Sequence, residues 1–489
     1  MKNFSKLVKK HSLLIPFLVF FILFVLTLSL KASTDKQISD WQSRINKILY
    51  SSKISKAHLG IFISDDSSGE KPIFSLNASA KIIPASVTKL VTSAVVLEEL
   101  PPGTKFKTGL WSKAKVEKSH LKGDLYLKGG GDPSFVSENM WFLVNSFLRT
   151  RVNTIEGDII VDDSLFDQSR FDSSRQEERV DRAYDAPTGA MSFNWNSVNI
   201  FIRPGTSSGE AAVVFADPEN DYIQLKAQVK TSSAGSSNSI LVEREARPGN
   251  EGDLVIVKGK IAADSKEVTV YKNITHPDLW SGFNLRSFLK QRGIEVLGKI
   301  RSGIIPAGAN LLAESESKPV ELILADMNKF SNNFVAEMLA KSAAAKISVP
   351  GNISRAMEMS RDYMKKLGIK ESDFELQNPS GLTRDNRLTA FGLWKVLSDL
   401  EKRFQIQPEL MTSLPIGGVD GTLKKRFKES AGLRQVRAKT GSLTGVVSMA
   451  GYLSGPEGHP IPFVMMYNGS DDESAVRVLF DKLCLAVIE

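Results

Sequence analysis

Cysteine is almost missing from this 489-residue sequence, and with Cys484 alone no intramolecular disulfide can form. Cys484 sits among Leu483, Leu485 and Val487 in the apolar-periodic stretch 475–488, and no histidine follows His459, so the thiol reads as buried and structural, not nucleophilic. Histidine is scarce as well. His11, His58, His120, His276 and His459 stand singly, without metal-ligand spacing, which disfavours a zinc centre and a Ser-His-Asp triad; no motif calls for a metal or another cofactor. Acids are missing from residues 1–32, where Lys2, Lys6, Lys9, Lys10 and Lys31 supply most of the net charge of +8. The remaining +3 is too mild a charge to indicate nucleic acid as a partner. No internal repeat is visible, and 42% hydrophobic with 24% charged residues is an ordinary globular composition, long enough for about three domains.

The first 32 residues read as an export address: lysines, an uncharged and largely apolar run from Leu13 to Leu30, then Lys31-Ala32-Ser33. Cleavage is slightly favoured. An uncleaved anchor, giving membrane association through residues 13–30, stands close behind, because 18 residues is near the lower limit for a span and Leu30 fits a small-x-small cleavage site poorly.

Beyond the address, apolar spacing predicts a short helix at 38–48, a strand at 58–64, a turn at 65–69 and a returning strand at 72–76. Residues 86–100 form a strong helical pattern, with Leu90, Val91, Ala94, Val95 and Leu97 on one face and Pro101-Pro102-Gly103 ending it. From about Phe106 to Ala307, short alternating runs at 124–127, 159–161, 198–202, 223–229 and 254–257 mark a β-rich region, with a Ser/Gly-rich loop near 232–239. Helical patterns resume at 319–327, 332–345, 355–367 and 390–404, and the chain closes with runs at 446–453, 462–467 and 475–488.

Ser86-Val87-Thr88-Lys89 opens the first strong helix. Positions three apart share a helical face, so hydroxyl and amine can meet, with Ser86 near the positive helix end. The pattern alone is weak, since Ser-x-x-Lys recurs at Ser68, Ser112, Ser287 and Ser315. Two further motifs change the weight: Ser331-Asn332-Asn333 before a helix, and Lys439-Thr440-Gly441-Ser442 before a strand pair. Serine β-lactamases and penicillin-binding proteins share this trio. The decoys Lys107-Thr108-Gly109 and Ser236-Ser237-Asn238 lack the order and the setting.

The chemistry explains the set. A serine hydroxyl without a histidine beside it needs another base, and Lys89 is the candidate. An ordinary lysine is protonated at neutral pH, so its pKa must fall by about 3 units, or about 4 kcal/mol. Lys439 as a neighbouring cation is expected to supply part of that fall, and burial the rest. Ser331 can then pass a proton to the leaving amine, and Asn333 can bond the substrate amide or Lys89. The N–H groups of Ser86 and Ser442 suit an oxyanion hole. Lys439 and Thr440 suit a substrate ending in a free carboxylate, as a terminal D-alanine does. The bland alternatives are a helix cap for Ser331 to Asn333 and a surface strand lysine for Lys439.

These residues, together with the segments 123–133 (GDLYLKGGGDP), 380–389 (SGLTRDNRLT) and 418–423 (GVDGTL), give the sequence its family character. It resembles the D-alanyl-D-alanine carboxypeptidase/endopeptidase family of penicillin-binding protein 4, the low-molecular-mass class C penicillin-binding proteins, from about Leu59 onward. The 245 residues between Ser86 and Ser331 match that family's long insertion. The resemblance implies an α/β (α+β) transpeptidase/β-lactamase-like domain, expected at 33–106 and 305–489. It also implies two inserted mainly-β domains, expected at 107–133 with 200–304 and, innermost, at 134–199. It further implies a serine-type D-Ala-D-Ala carboxypeptidase and D,D-endopeptidase acting in the periplasm, secreted or anchored to the outer face of the cytoplasmic membrane. Peptidoglycan stem peptides would be its substrates and β-lactams its inhibitors. By the same resemblance Ser86, Lys89, Ser331, Asn333 and Lys439 are catalytic, and Thr440, Gly441 and Ser442 bind substrate.

The sequence departs from that family in three places. Residues 170–182 are highly charged and lack tryptophan, Asn378-Pro379 stands where Asp-Gly is usual, and Asn332 replaces an aspartate. A serine β-lactamase would share the acylation parts, but no Glu-x-x-Leu-Asn element is visible and the insertion argues against it. A non-catalytic peptidoglycan-binding scaffold would need neither the serine nor its base.

Overall fold

The computed structural model describes residues 36–65, 70–175 and 180–489. The expected address at 1–32 and most of the turn at 65–69 lie outside the described residues, as do 176–179 of the charged stretch 170–182. Among the described residues, no helix is long and apolar enough to cross a membrane.

Segments far apart in sequence build one antiparallel five-stranded sheet, in the order Phe74–Leu76, Leu59–Ile63, Pro460–Asn468, Val446–Ser454, Val436–Leu443. Ile61 pairs with Met465, and Met449 in turn with Met465 and Thr440. The two central strands are buried almost throughout, and their side chains alternate between two cores as the pleat requires. Phe463, Met465 and Tyr467 face the helix at 36–51 and the helix Glu473–Ile488, where Trp41, Ile45, Phe480 and the buried Cys484 pack. Val464 and Met466 face the opposite way, toward the helices Lys89–Glu99, Asn333–Ile347 and Ala390–Lys402. The edge strand Val436–Leu443 runs along the opening between this helical layer and the sheet.

The insertion has its own core. Five strands lie in the order Ile300–Ser302, Ile159–Asp162, Leu125–Lys128, Lys107–Ser112, Asn310–Glu316. Two three-stranded sheets follow: Val213–Asp217 with Ser197–Arg203 and Val268–Asn273, and Ile223–Ser232 with Asp253–Ala262 and Ser239–Ala246.

These pairings correct the expected partition. The strand Ile159–Asp162, assigned to an inner unit at 134–199, lies between Leu125–Lys128 and Ile300–Ser302 of the supposed outer unit. The strand Asn310–Glu316, assigned to the catalytic domain, pairs with Lys107–Ser112. Parallel pairing needs a crossover, and a boundary read from composition cannot see it. The β-rich reading also passed over two helices, Ser137–Phe147 and Pro277–Gln291. The first shows its apolar stripe at Met140, Leu143, Val144 and Phe147, and the second starts on a proline in its first turn, a regular start signal.

Candidate active site

Ser86 lies in a short 3-10 turn, Ala85–Thr88, and the α-helix begins only at Lys89. In a 3-10 turn residues three apart eclipse, so the two side chains stack, and Lys89 Nζ donates to Ser86 Oγ at 3.1 Å. Ala85 takes φ +49°, a left-handed conformation uncommon without glycine, which aims the next residue into the cleft.

Ser331 has φ +55° in the turn between the helices Val320–Lys329 and Asn333–Ile347. Asn332 is the cap of the second helix, its Oδ1 accepting from the Val335 N–H at 3.1 Å, so its side chain is spent on the helix end. That cap directs Asn333 toward the serine. Asn333 Oδ1 accepts from Lys89 Nζ at 2.8 Å, and its Nδ2 donates to the Tyr184 carbonyl at 3.2 Å. On the edge strand, Lys439 Nζ donates to Ser331 Oγ at 2.8 Å and to the Thr440 carbonyl at 2.7 Å. Thr440 Oγ1 donates to Thr422 Oγ1 at 2.7 Å. Gly441 lies against the serine turn: a Cβ there would sit 2.8 Å from the Pro84 carbonyl oxygen and 3.0 Å from Ser86 N. Ser442 is exposed, and its Oγ accepts from Arg477 at 3.0 Å. By contrast, Lys107 of the decoy is exposed and paired with Glu314 at 2.8 Å.

The electrostatics fit a base. Lys89 is wholly buried, and burial brings its pKa from 10.5 down to about 7, against an opposing pull from Glu337. Burial, not the neighbouring cation, leads this fall. Lys439 is likewise pushed well below the usual lysine range, first by burial and then by the charge of Lys89.

Residues 41–483 match the D-Ala-D-Ala carboxypeptidase 3 (S13) family. The chain belongs to this family. Among carboxypeptidase 3 relatives, the D-alanyl-D-alanine carboxypeptidase of an Actinomadura species is 28% identical over 467 residues, spanning 92% of this chain and 85% of that one. The crystal structure of penicillin binding protein 4 from Haemophilus influenzae superposes with a TM-score of 0.75 at 25% identity, covering 87% of this chain and 94% of that one. The same protein complexed with a novel β-lactam shares the fold, with a TM-score of 0.71 at 24% identity over the same 87% and 94%. The α+β architecture of this carboxypeptidase 3 member is thus the penicillin binding protein 4 fold.

Sequence reading offered Asn333 as a partner of Lys89 but missed the rest of what holds the base. On the helix Asn333–Ile347, residues 333, 337 and 341 recur every four positions and so form one stripe. Asn333 holds Lys89. Glu337, wholly buried and with its pKa raised by burial foremost, accepts from Ser380 Oγ at 3.1 Å and from Asn378 Nδ2 at 3.2 Å. Lys341, also buried, reaches Asp167 at 2.7 Å and the Ser169 carbonyl at 2.6 Å, pinning the inserted segment to the helix. The carbonyl of Ser380 in turn accepts from Lys89 Nζ at 2.5 Å. The four-residue recurrence in the sequence was the signal for this stripe.

The Asn378 departure now has a reason. Its Oδ1 accepts from the N–H groups of Ser380 at 2.8 Å and Gly381 at 2.9 Å, while its Nδ2 donates to Asp172 at 2.8 Å as well as to Glu337. An aspartate here would set a third carboxyl against two others and lose the amide donor that bridges Asp172 and Glu337. Asn378→Asp is expected to lower stability by about 2–4 kcal/mol, read as a fall in urea midpoint at unchanged slope.

Proposed function

We propose that the chain is a serine-type D-Ala-D-Ala carboxypeptidase and D,D-endopeptidase that cleaves peptidoglycan stem peptides through an acyl-enzyme on Ser86. The reading rests above all on one observation: Lys89 Nζ stands 3.1 Å from the Ser86 hydroxyl in a site that strips the amine of its usual proton affinity.

In this mechanism neutral Lys89 takes the Ser86 proton as Oγ attacks the carbonyl carbon of the penultimate D-alanine. Asn333 and the Ser380 carbonyl hold the amine in line. The N–H groups of Ser86 and Ser442 receive the developing oxyanion. The terminal carboxylate lies at Thr440 and Lys439, and this partner raises the proton affinity of Lys439 that burial had lowered. As the C–N bond breaks, Ser331 Oγ gives its proton to the leaving amine and is reprotonated from Lys439, its donor at 2.8 Å. Lys89 passes the proton it took from Ser86 on to the deprotonated Lys439 and is neutral again; it then takes a proton from the water that attacks the ester and returns it to Ser86 Oγ as the C–O bond breaks. β-Lactams acylate the same oxygen, in keeping with the β-lactam complex of the Haemophilus influenzae protein. Work on peptidoglycan puts the enzyme outside the cytoplasm, in the periplasm, and the basic and apolar segment 1–32 supports export.

The test is incubation with purified peptidoglycan fragments, followed by mass spectrometry. Released D-alanine and cut cross-links are the expected products; neither product, from a chain that still acylates with penicillin, defeats the substrate assignment.

A further inference from the structure

A cavity of about 710 Å³ opens beside Ser331 and Asn333, between the helix start at Asn333 and the inserted sheet strand Val268–Asn273. It is far larger than a departing alanine requires. Four large aromatic side chains line it while remaining open to solvent: Tyr184 at 54% exposure, Trp195 at 44%, Tyr271 at 55% and Phe330 at 71%. Exposed aromatics gathered around a cleft mark a binding surface. The acids Glu138 and Asp217 also line it, and among the described residues no lysine or arginine does, in a chain whose net charge is +8.

The backbone that presents Trp195 is strained. Asn194, Trp195 and Asn196 have φ of +47°, +52° and +50°, three consecutive left-handed residues without a glycine. Side chains hold them so. Asn194 bonds the Ser137 N–H and hydroxyl, each at 3.1 Å, and Asn196 donates to the Pro187 carbonyl and to Ser192 Oγ, each at 2.8 Å. A turn kept in an unfavourable conformation by so many bonds, with a tryptophan at its tip, points to a use for that tryptophan.

We propose that this cavity is a saccharide subsite of the catalytic cleft, taking the N-acetylated amino sugars of the glycan strand that carries the stem peptide, with Trp195 as the stacking face. The proposal rests on the peptidoglycan reading given above. A pyranose ring offers an apolar C–H face to an aromatic ring and a rim of hydroxyls to carboxylate and amide acceptors such as Asp217 and Asn199, which also line the cavity. A second stem peptide is the weaker occupant, because its carboxylates would meet the acids Glu138 and Asp217 with no cation among the described lining residues.

The test compares kcat/KM of the full chain for a pentapeptide ending in D-Ala-D-Ala, free and amide-linked to its disaccharide. Wild-type should prefer the sugar-bearing substrate by about five- to tenfold, the factor one aromatic stack supplies. Trp195→Asn, which tolerates the left-handed turn, should lose most of that preference while free-peptide turnover and penicillin acylation stay unchanged. Tyr271→Ala, on a strand apart from the turn, should lower the preference too and guards against a local effect at 194–196. Equal turnover of both substrates by wild-type overturns the subsite, as does an equal loss on both in the two variants. A preference for a sugar-free cross-linked peptide dimer that Trp195→Asn removes would assign the cavity to peptide and overturn it as well. Failure of wild-type to acylate with penicillin would strike the underlying reading instead.

Discussion

Ser86→Ala will take up no penicillin, whereas wild-type will gain the mass of one and keep it through denaturation. Among the described residues, Ser86 Oγ is the one hydroxyl that bonds the Lys89 amine, whose other partners are an amide and a carbonyl oxygen, so its loss leaves no substitute. Release of D-alanine should fall by about 10⁴-fold or more, the scale on which nucleophile removal acts elsewhere. The variant should fold normally, because Ser86 is only partly buried and its partner Lys89 keeps two further bonds, to Asn333 and to the Ser380 carbonyl. Retained penicillin mass also separates this reading from a β-lactamase, which would shed the adduct quickly.

The second large effect is on pH. With Lys89 at about 7, penicillin acylation should be flat above that value and fall roughly tenfold per unit below it, as the base takes up its proton. Lys89→Arg retains a positive charge and donors but cannot deprotonate, so acylation should drop by about 10³-fold or more and the limb near 7 should vanish. Lys89→Met, of similar length and without charge, should show the same loss; a fast Lys89→Met enzyme would refute the base assignment. The linkage has a definite sign. Between about 7 and 10.5 the unfolded lysine holds a proton that the folded one has released, so this group's contribution to stability rises with pH across that window. In Lys89→Met that contribution is gone, and the urea midpoint should change less with pH there than in wild-type.

Much of the site was legible because its parts are local motifs. Ser86 and Lys89 are three apart, Ser331 and Asn333 two apart, and Lys439 to Ser442 continuous, and each motif sits at an element boundary that apolar spacing reveals. The segment from Ser331 to Asn333 combines a cap with a site contact, since Asn332 caps the helix while Asn333 bonds Lys89 and Ser331 bonds Lys439. Less legible was what depends on distant contacts. Glu337 looked like any helical glutamate until Asn378 and Ser380 were found against it, and the charge balance around Lys89 follows from that meeting. The inserted sheets failed for the same reason: the parallel neighbours of Ile159–Asp162 lie more than thirty residues away on one side and more than a hundred on the other, beyond any pattern read within a window.

The sheet beneath the site also sets an order of events during synthesis. The strand Leu59–Ile63 pairs with Pro460–Asn468, and the strand bearing Lys439 joins the same sheet only through Val446–Ser454. A nascent chain therefore carries its reactive serine for some 350 residues before the strand that must lie beside it exists. The carboxypeptidase site is thereby incomplete through most of synthesis, and closes only once the strands Val436–Leu443, Val446–Ser454 and Pro460–Asn468 have been made.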